Sequence, residues 1–288
     1  MRARGAALSS ITQIFSTQIT SPGSSRVQIG SFVASHSVHF RTSIVLCALH
    51  ARSLSERCLR ETHIGVDRSP HCRTFRKVGS SVEPAKSTLF RLYVTGTYGA
   101  LSDITIEDSY VKDVQYAAMA VESRQGSDID SINFNRIEFA DTGAAFFVYL
   151  AQQSTISPVG DVPKLGSINN VSFTDITGST SSWANSPHQG SLITGHIFNG
   201  TTYAITNLSF THVAVTFDGG LSTIPASPPE ATPNEYPESN MFGDLPAWGY
   251  FLRHVTGVTF TSATSLSAST DARQKLVTDE VTGLVGSP

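Results

Sequence analysis

Two groups of residues in this chain could carry chemistry. The first is acidic: Glu122, Asp128 and Asp130. Asp128 and Asp130 stand at i, i+2, so a strand would put both on one face. That spacing suits a general acid and base, or a bound cation. It equally suits plain turn chemistry after Gly126. Glu122 reads either as a displaced catalytic acid or as a solvated surface carboxylate. The second group is Tyr236, Glu238, Trp248, Tyr250, Arg253 and His254. Rings on which a sugar can stack and a guanidinium that can hold a carboxylate are the side chains of a carbohydrate groove. The same rings could instead fold a loop back onto the body of the protein, packing Met241, Phe242 and Trp248. Strand alternation over GYFLRHV puts Phe251, Arg253 and Val255 on one face and Leu252 and His254 on the other. His188 and His196 flank a loop with no third ligand at usable spacing, so no metal site is expected, and no cofactor.

Residues of these types need a rigid frame, and the sequence shows one. A short pattern recurs as LSDITI (101–106), IDSINF (129–134), INNVSF (168–173), ITNLSF (205–210) and VTGVTF (255–260). Ile104/Ile106, Ile132/Phe134, Val171/Phe173, Leu208/Phe210 and Val258/Phe260 sit at i, i+2, one face of a strand. Thr, Asn, Ser, Ser and Thr lie between them, on the other face. Ile137/Phe139 and Val213/Val215 extend two of the copies. The units recur at irregular intervals consistent with a short repeat carrying inserted loops, and no helical stretch separates them. Such a pattern argues for a solenoid. The expected fold is all-β, a right-handed parallel β-helix with long loop insertions, its inward residues forming one column. A β-sandwich is the competing architecture. The insertions span 151–166, 181–200 and 218–248.

The frame does not cover the whole chain. Of 288 residues, positions 1–91 hold 13 Lys or Arg against 4 Asp or Glu, and positions 92–288 hold 7 against 19. Cys47, Cys58 and Cys72 all fall in the first part, at spacings of neither a disulfide framework nor a zinc site, and read as incidental thiols. Residues 1–91 show no sustained period. They read as a disordered arm or as sequence outside the native coding frame, with 92–288 as the folded part. A transit peptide shares the bias but is usually shorter. Charged residues make up only 15% of the chain, well below the average of about 25%, which fits a secreted β protein better than a nucleic-acid binder. No apolar run is long enough to span a membrane, and no signal peptide is recognisable. A monomer is expected, without nucleic acid or membrane as partner. Asn170, Asn199 and Asn207 each open an Asn-x-Ser/Thr sequon.

Residues 236–260, YPESNMFGDLPAWGYFLRHVTGVTF, resemble the C-terminal coils of polygalacturonase-type proteins of glycoside hydrolase family 28. Residues 121–150 and 271–284 are similar to other coils of those proteins. The resemblance covers about 94–288. It implies a right-handed parallel β-helix, an extracellular location, and a pectic or other acidic polysaccharide as partner. It implies inverting hydrolysis by aspartates of Asn-Thr-Asp and Asp-Asp motifs, with Gly-His-Gly and Arg-Ile-Lys motifs following. None of the first three motifs occurs in the chain. Where Arg-Ile-Lys should fall the chain reads Ala120-Val121-Glu122, and a glutamate there would repel a uronate. The resemblance therefore implies a polygalacturonase-like protein, truncated and weakly active or inactive. The alternative is a non-catalytic β-helical protein that binds carbohydrate or serves a structural role.

Overall fold

The computed structural model describes residues 100–123, 126–151, 165–183, 188–230 and 238–288, together with the backbone of four short strands before them. Those four are β1 (Arg41–Ile44), β2 (Thr62–Ile64), β3 (Phe75–Val78) and β4 (Phe90–Tyr93). The longer strands follow: β5 (Ala100–Ser123), β6 (Asp128–Leu150) and β7 (Ser167–Thr180). After them come β8 (Ser191–Thr194), β9 (His196–Phe198), β10 (Thr201–Tyr203) and β11 (Ile205–Phe217). The chain closes with β12 (Ala247–Thr261), β13 (Thr264–Ser267) and β14 (Gln274–Val285). Among the described residues there is no α-helix, only a 3-10 turn at Ser239–Phe242. The protein is all-β. The basic segment 1–91 lies outside the described residues apart from β1–β4, of which β3 and β4 pair in parallel with β5.

The long strands stack in parallel in the order β5-β6-β7-β11-β12-β14. Each passes the next in register: Ile104 pairs with Ile132, Ile132 with Val171, Val171 with Leu208, Leu208 with Val258 and Val258 with Leu284. The five residues expected to form one column, Ile104 to Val258, are all buried in a single core. Beside them Phe134, Phe173, Phe210 and Phe260 form a ring stack, with centroids 5.2, 5.0 and 4.9 Å apart and planes within 13° of parallel. The i, i+2 spacing produces this because both residues of each pair face inward while the residue between them faces out. Thr105, Asn133, Ser172, Ser209 and Thr259 accordingly form an in-register column on the outer face.

The strands are bent, and the bends are also in register. Asp103, Ser131, Asn170, Asn207, Gly257 and Gly283 all have φ between 55° and 76°. Each precedes one member of the Ile104 column. Five residues further on, Asp108, Arg136, Asp175, His212 and Ser262 repeat the conformation, and Asp113 and Asp141 repeat it once more. Left-handed backbone costs an L-residue roughly 1–2 kcal/mol, least for Asn and Asp, whose side chains can bond locally. Here those side chains bond across strands. Asn170 Nδ2 donates to Asp130 Oδ1 (2.6 Å) and Asn207 Nδ2 to Asn170 Oδ1 (3.1 Å). Arg136 donates to Asp108 (2.6 Å) and Glu107 (2.9 Å), and His212 Nδ1 meets Asp175 Oδ1 at 3.1 Å. Gly257 fits because a Cβ there would come within 3.1 Å of the Asn207 amide oxygen.

Phe173→Ala should destabilise the protein by about 3–5 kcal/mol, the usual loss for a buried aromatic ring. Near-unchanged thermal unfolding would show that the ring stack is not a structural column. Asn207→Val should cost about 2–3 kcal/mol, combining the left-handed backbone penalty with one lost hydrogen bond. Asn207→Gly should cost less, since glycine accepts positive φ. Equal losses for the two variants in urea denaturation would rule out the backbone conformation as the source.

Candidate functional site

The C-terminal half of β5 pairs with that of β6, β6 with β8, and β8 with β12, so their residues align in rows. One row aligns Glu122, Tyr149, Thr194, Arg253 and Asp279 across neighbouring strands. The row two positions earlier aligns Ala120, Phe147, Leu192, Phe251 and Val277. The intervening Val121, Val148, Ile193 and Leu252 belong to the main core. The outer rows form a second apolar cluster, closed over by Phe242 and Leu245 from the segment before β12. Phe242 rests on Phe147 and Tyr149, with ring centroids 5.9 and 5.4 Å away.

Arg253 is the pivot of this face. Its side chain is 2% exposed. Nη1 donates to Pro228 O (2.8 Å), Nη2 to Pro229 O (2.9 Å) and Glu230 O (3.3 Å), and Nε to Thr194 Oγ1 (3.2 Å). The guanidinium also lies 5.6 Å from the centroid of the Phe251 ring, at cation–π range. It therefore straps residues 228–230 onto the sheet. His254 adds a second tie: Nδ1 lies 2.9 Å from Glu280 Oε2, and Nε2 lies 3.1 Å from the Glu230 carboxylate. His196 is a neighbour of this group. Burial lowers its pKa; Glu230 opposes that, and His254 and Arg253 add to it. A second arginine works in the same way. Arg273 Nη1 donates to the carbonyls of His188 (2.8 Å) and Leu245 (3.2 Å), and Nη2 to Asp271 Oδ2 (2.7 Å). Burial alone would raise the Asp271 carboxyl, but hydrogen bonds from Arg273 and from the Leu221 amide hold it below its usual range.

The expected site residues do not share one cleft. Glu122 is fully buried rather than solvated, because the residues around it on the outer row are covered. Asp128 is exposed and accepts from Ser167 Oγ (2.8 Å); Asp130 accepts from Ser131 Oγ (3.0 Å) and Asn170. Both aspartates thus serve the cross-strand ladder. Tyr250 is fully buried, its ring against Phe210, Phe217 and Phe260, which removes it as a stacking platform. Burial also pushes its hydroxyl pKa well up. Trp248 is half-buried and packs edge-on against Phe217. Glu238 is buried beside the 3-10 turn; together with burial it raises the pKa of Tyr116. Tyr236 lies outside the described residues. Phe251 and Arg253 share a face as expected, but Val255 turns into the core, because His254 has φ 51° and breaks the alternation. His188 Nδ1 meets Gly219 O and Asp218, and among the described residues no group of three His, Cys, Asp or Glu is placed to hold a metal ion. No helix among them is long and apolar enough to cross a membrane.

Sequence reasoning missed Thr194, Glu230, Glu280 and Asp271. Glu230 and Asp271 lie in loops, and only the register of β12 against β8 and β14 brings Thr194 and Glu280 to Arg253 and His254. No protein-family model matches the chain, and no curated protein or solved structure matches it either.

Arg253→Met should lower stability by at least about 3 kcal/mol, because several charge-assisted hydrogen bonds of about 1.5–3 kcal/mol each are lost. Urea denaturation reads the loss; a change below about 1 kcal/mol would mean that the strap is held by other contacts. The His196 shift has a definite sign. Its folded pKa lies below the unfolded value of about 6.5, so the unfolded chain takes up more protons on acidification. The contribution is intact above that value and is lost as pH falls through it. His196→Gln should therefore show a smaller stability loss than the parent between about pH 7 and 5. Parallel curves would contradict the burial of the ring.

Proposed function

We propose that the chain is a right-handed parallel β-helical protein, of the kind its polygalacturonase-like segments suggest, that holds carbohydrate without cleaving it. The observation that carries this reading is the polar, half-buried outer face of the stack. Thr105, Asn133, Ser172, Ser209 and Thr259 lie there in register, and two residues along each strand Asn135, Thr174, Thr211 and Thr261 form a second row. A trough of about 370 Å³ runs past Asn133, Asn170, Ser172, Asn207, Ser209 and Thr259. Hydroxyl and amide groups repeating at the strand spacing of about 4.8 Å can meet a repeating glycan with the same contact many times over.

Charge decides which glycan. Among the described residues Lys112 lies 4.0 Å from both Asp113 and Asp141, and Arg136 is bound to Asp108 and Glu107. Arg253 and Arg273 are buried, and Lys275 donates to the carbonyl of Pro288. Each of these cations thus already has an acceptor within the protein. This favours an uncharged polysaccharide over the pectic acid that the resemblance implies. Inverting hydrolysis needs two carboxyl groups about 6.5–9.5 Å apart across the scissile bond. Glu122 is enclosed, and Asp128 and Asp130 are committed to the ladder.

A hydrolase remains the second reading, favoured by one placement: Glu122 stands in the same sheet row as Tyr149 and Arg253. Affinity electrophoresis of the full chain through neutral galactan, arabinan and polygalacturonate separates the readings, alongside a reducing-sugar assay. Retardation by a neutral polymer with sugar release at background is expected. Turnover of polygalacturonate that disappears in Glu122→Gln would establish the hydrolase instead.

A further inference from the structure

The side-chain ladder on the outer face has a direction. Ser172 Oγ donates to Asn133 Oδ1, Asn170 Nδ2 to Asp130 Oδ1 and Asn207 Nδ2 to Asn170 Oδ1. In each bond the donor sits on the later strand and the acceptor on the earlier one. The run of bonds that starts at the Asp130 carboxylate therefore ends on an oxygen, Asn207 Oδ1. The next residue in that row of bends is Gly257, which has no side chain to donate. The amide oxygen leans over this glycine: a Cβ built on Gly257 would meet it at 3.1 Å. Two residues along the strands Ser209 and Thr259 pair in register. Among the described residues nothing bonds either hydroxyl, and nothing donates to Asn207 Oδ1. Asn207, Ser209, Gly257 and Thr259 all line the trough, the first exposed and the others half-buried.

From this arrangement we propose that the β11–β12 end of the trough is a subsite for a neutral sugar, and that a sugar hydroxyl completes the ladder by donating to Asn207 Oδ1. The subsite rests on the carbohydrate-binding reading and narrows the contact from the whole outer face to Asn207, Ser209 and Thr259. The chemistry of these three groups selects the ligand class. An amide oxygen only accepts, and a serine or threonine hydroxyl both donates and accepts. A sugar with neighbouring hydroxyls offers a donor to the first and either role to the other two. A carboxylate offers acceptors alone and leaves Asn207 Oδ1 unmet. At the β6–β7 end of the trough Asn133 Oδ1, Ser172 Oγ and Asn170 are already engaged within the protein. A ligand there would compete with existing bonds; at β11–β12 it competes with none.

The test is affinity electrophoresis of the full chain and four variants through neutral galactan and arabinan. Ser209→Ala and Thr259→Val each remove one hydroxyl and should weaken retention roughly two- to tenfold, the worth of one hydrogen bond. Thr105→Val makes the same change on β5, outside the trough, and should leave retention unchanged. Gly257→Asn supplies the missing rung, since asparagine accepts positive φ, and should abolish retention while thermal unfolding stays cooperative. Should Gly257→Asn fail to fold, the two hydroxyl variants decide. Parent-like retention of Ser209→Ala and Thr259→Val, an equal loss in Thr105→Val, or a folded Gly257→Asn that binds like the parent would overturn the subsite and leave the carbohydrate reading standing. A parent retarded by neither polymer would overturn both.

Discussion

The structure depends on turning the chain at the same register on every pass. A stack of parallel strands buries its apolar columns only if each pass bends where its neighbours bend. The bends need positive φ, which most residues resist. Asp, Asn, His, Ser and Gly fill most of these positions, and Arg136 fills one through its pairing with Asp108. At Arg136, Asp141, Asn170, Asn207 and His212 the side chains bond from one pass to the next, so these bends support one another. The core follows from this. With the bends aligned, Phe134, Phe173, Phe210 and Phe260 have no option but to stack.

Loops are attached to this stack by charge and not by apolar burial alone. Arg253 and Arg273 are both buried, and both bond loop carbonyls, Arg273 while also holding the Asp271 carboxylate. A carbonyl in a covered loop needs a donor, and a guanidinium supplies five in a fixed fork. One arginine can therefore satisfy several main-chain acceptors on a segment with no regular secondary structure. The cost is functional: an arginine used in this way is withdrawn from any ligand, and with it the cationic half of the groove that the sequence suggested.

Much of the architecture was legible because strand alternation is a local code. The pairs Ile104/Ile106 through Val258/Phe260 can be recognised without knowing what they pack against, and they fall in one core. The bends were equally present in the sequence but were not recognised. Asp103, Asp108 and Asp113, like Ser131, Arg136 and Asp141, recur every five residues. The site was less legible because its partners are distant in sequence. Nothing near Tyr250 announces that it belongs to the main core and Phe251 to the second cluster. Glu122 looked solvated because an isolated glutamate generally is. It is fully buried in a sheet row with Tyr149, Thr194 and Arg253, residues up to about 130 positions away, a relation no local pattern encodes.

The five-residue interval between bends also governs how such a chain can change over generations. In-register neighbours are separated by 28, 39, 37, 50 and 26 residues, yet Asp103–Asp108, Ser131–Arg136, Asn170–Asp175, Asn207–His212 and Gly257–Ser262 are all the same length. Insertions and deletions outside these spans lengthen or shorten a loop and leave the pattern of inward residues untouched. A single-residue deletion inside one would turn Phe173 or Phe210 outward, as a frameshift garbles every codon after it. Length is thus free to drift at the periphery while the short spans between bends stay fixed, and new surface features can arise on this scaffold without renegotiating its core.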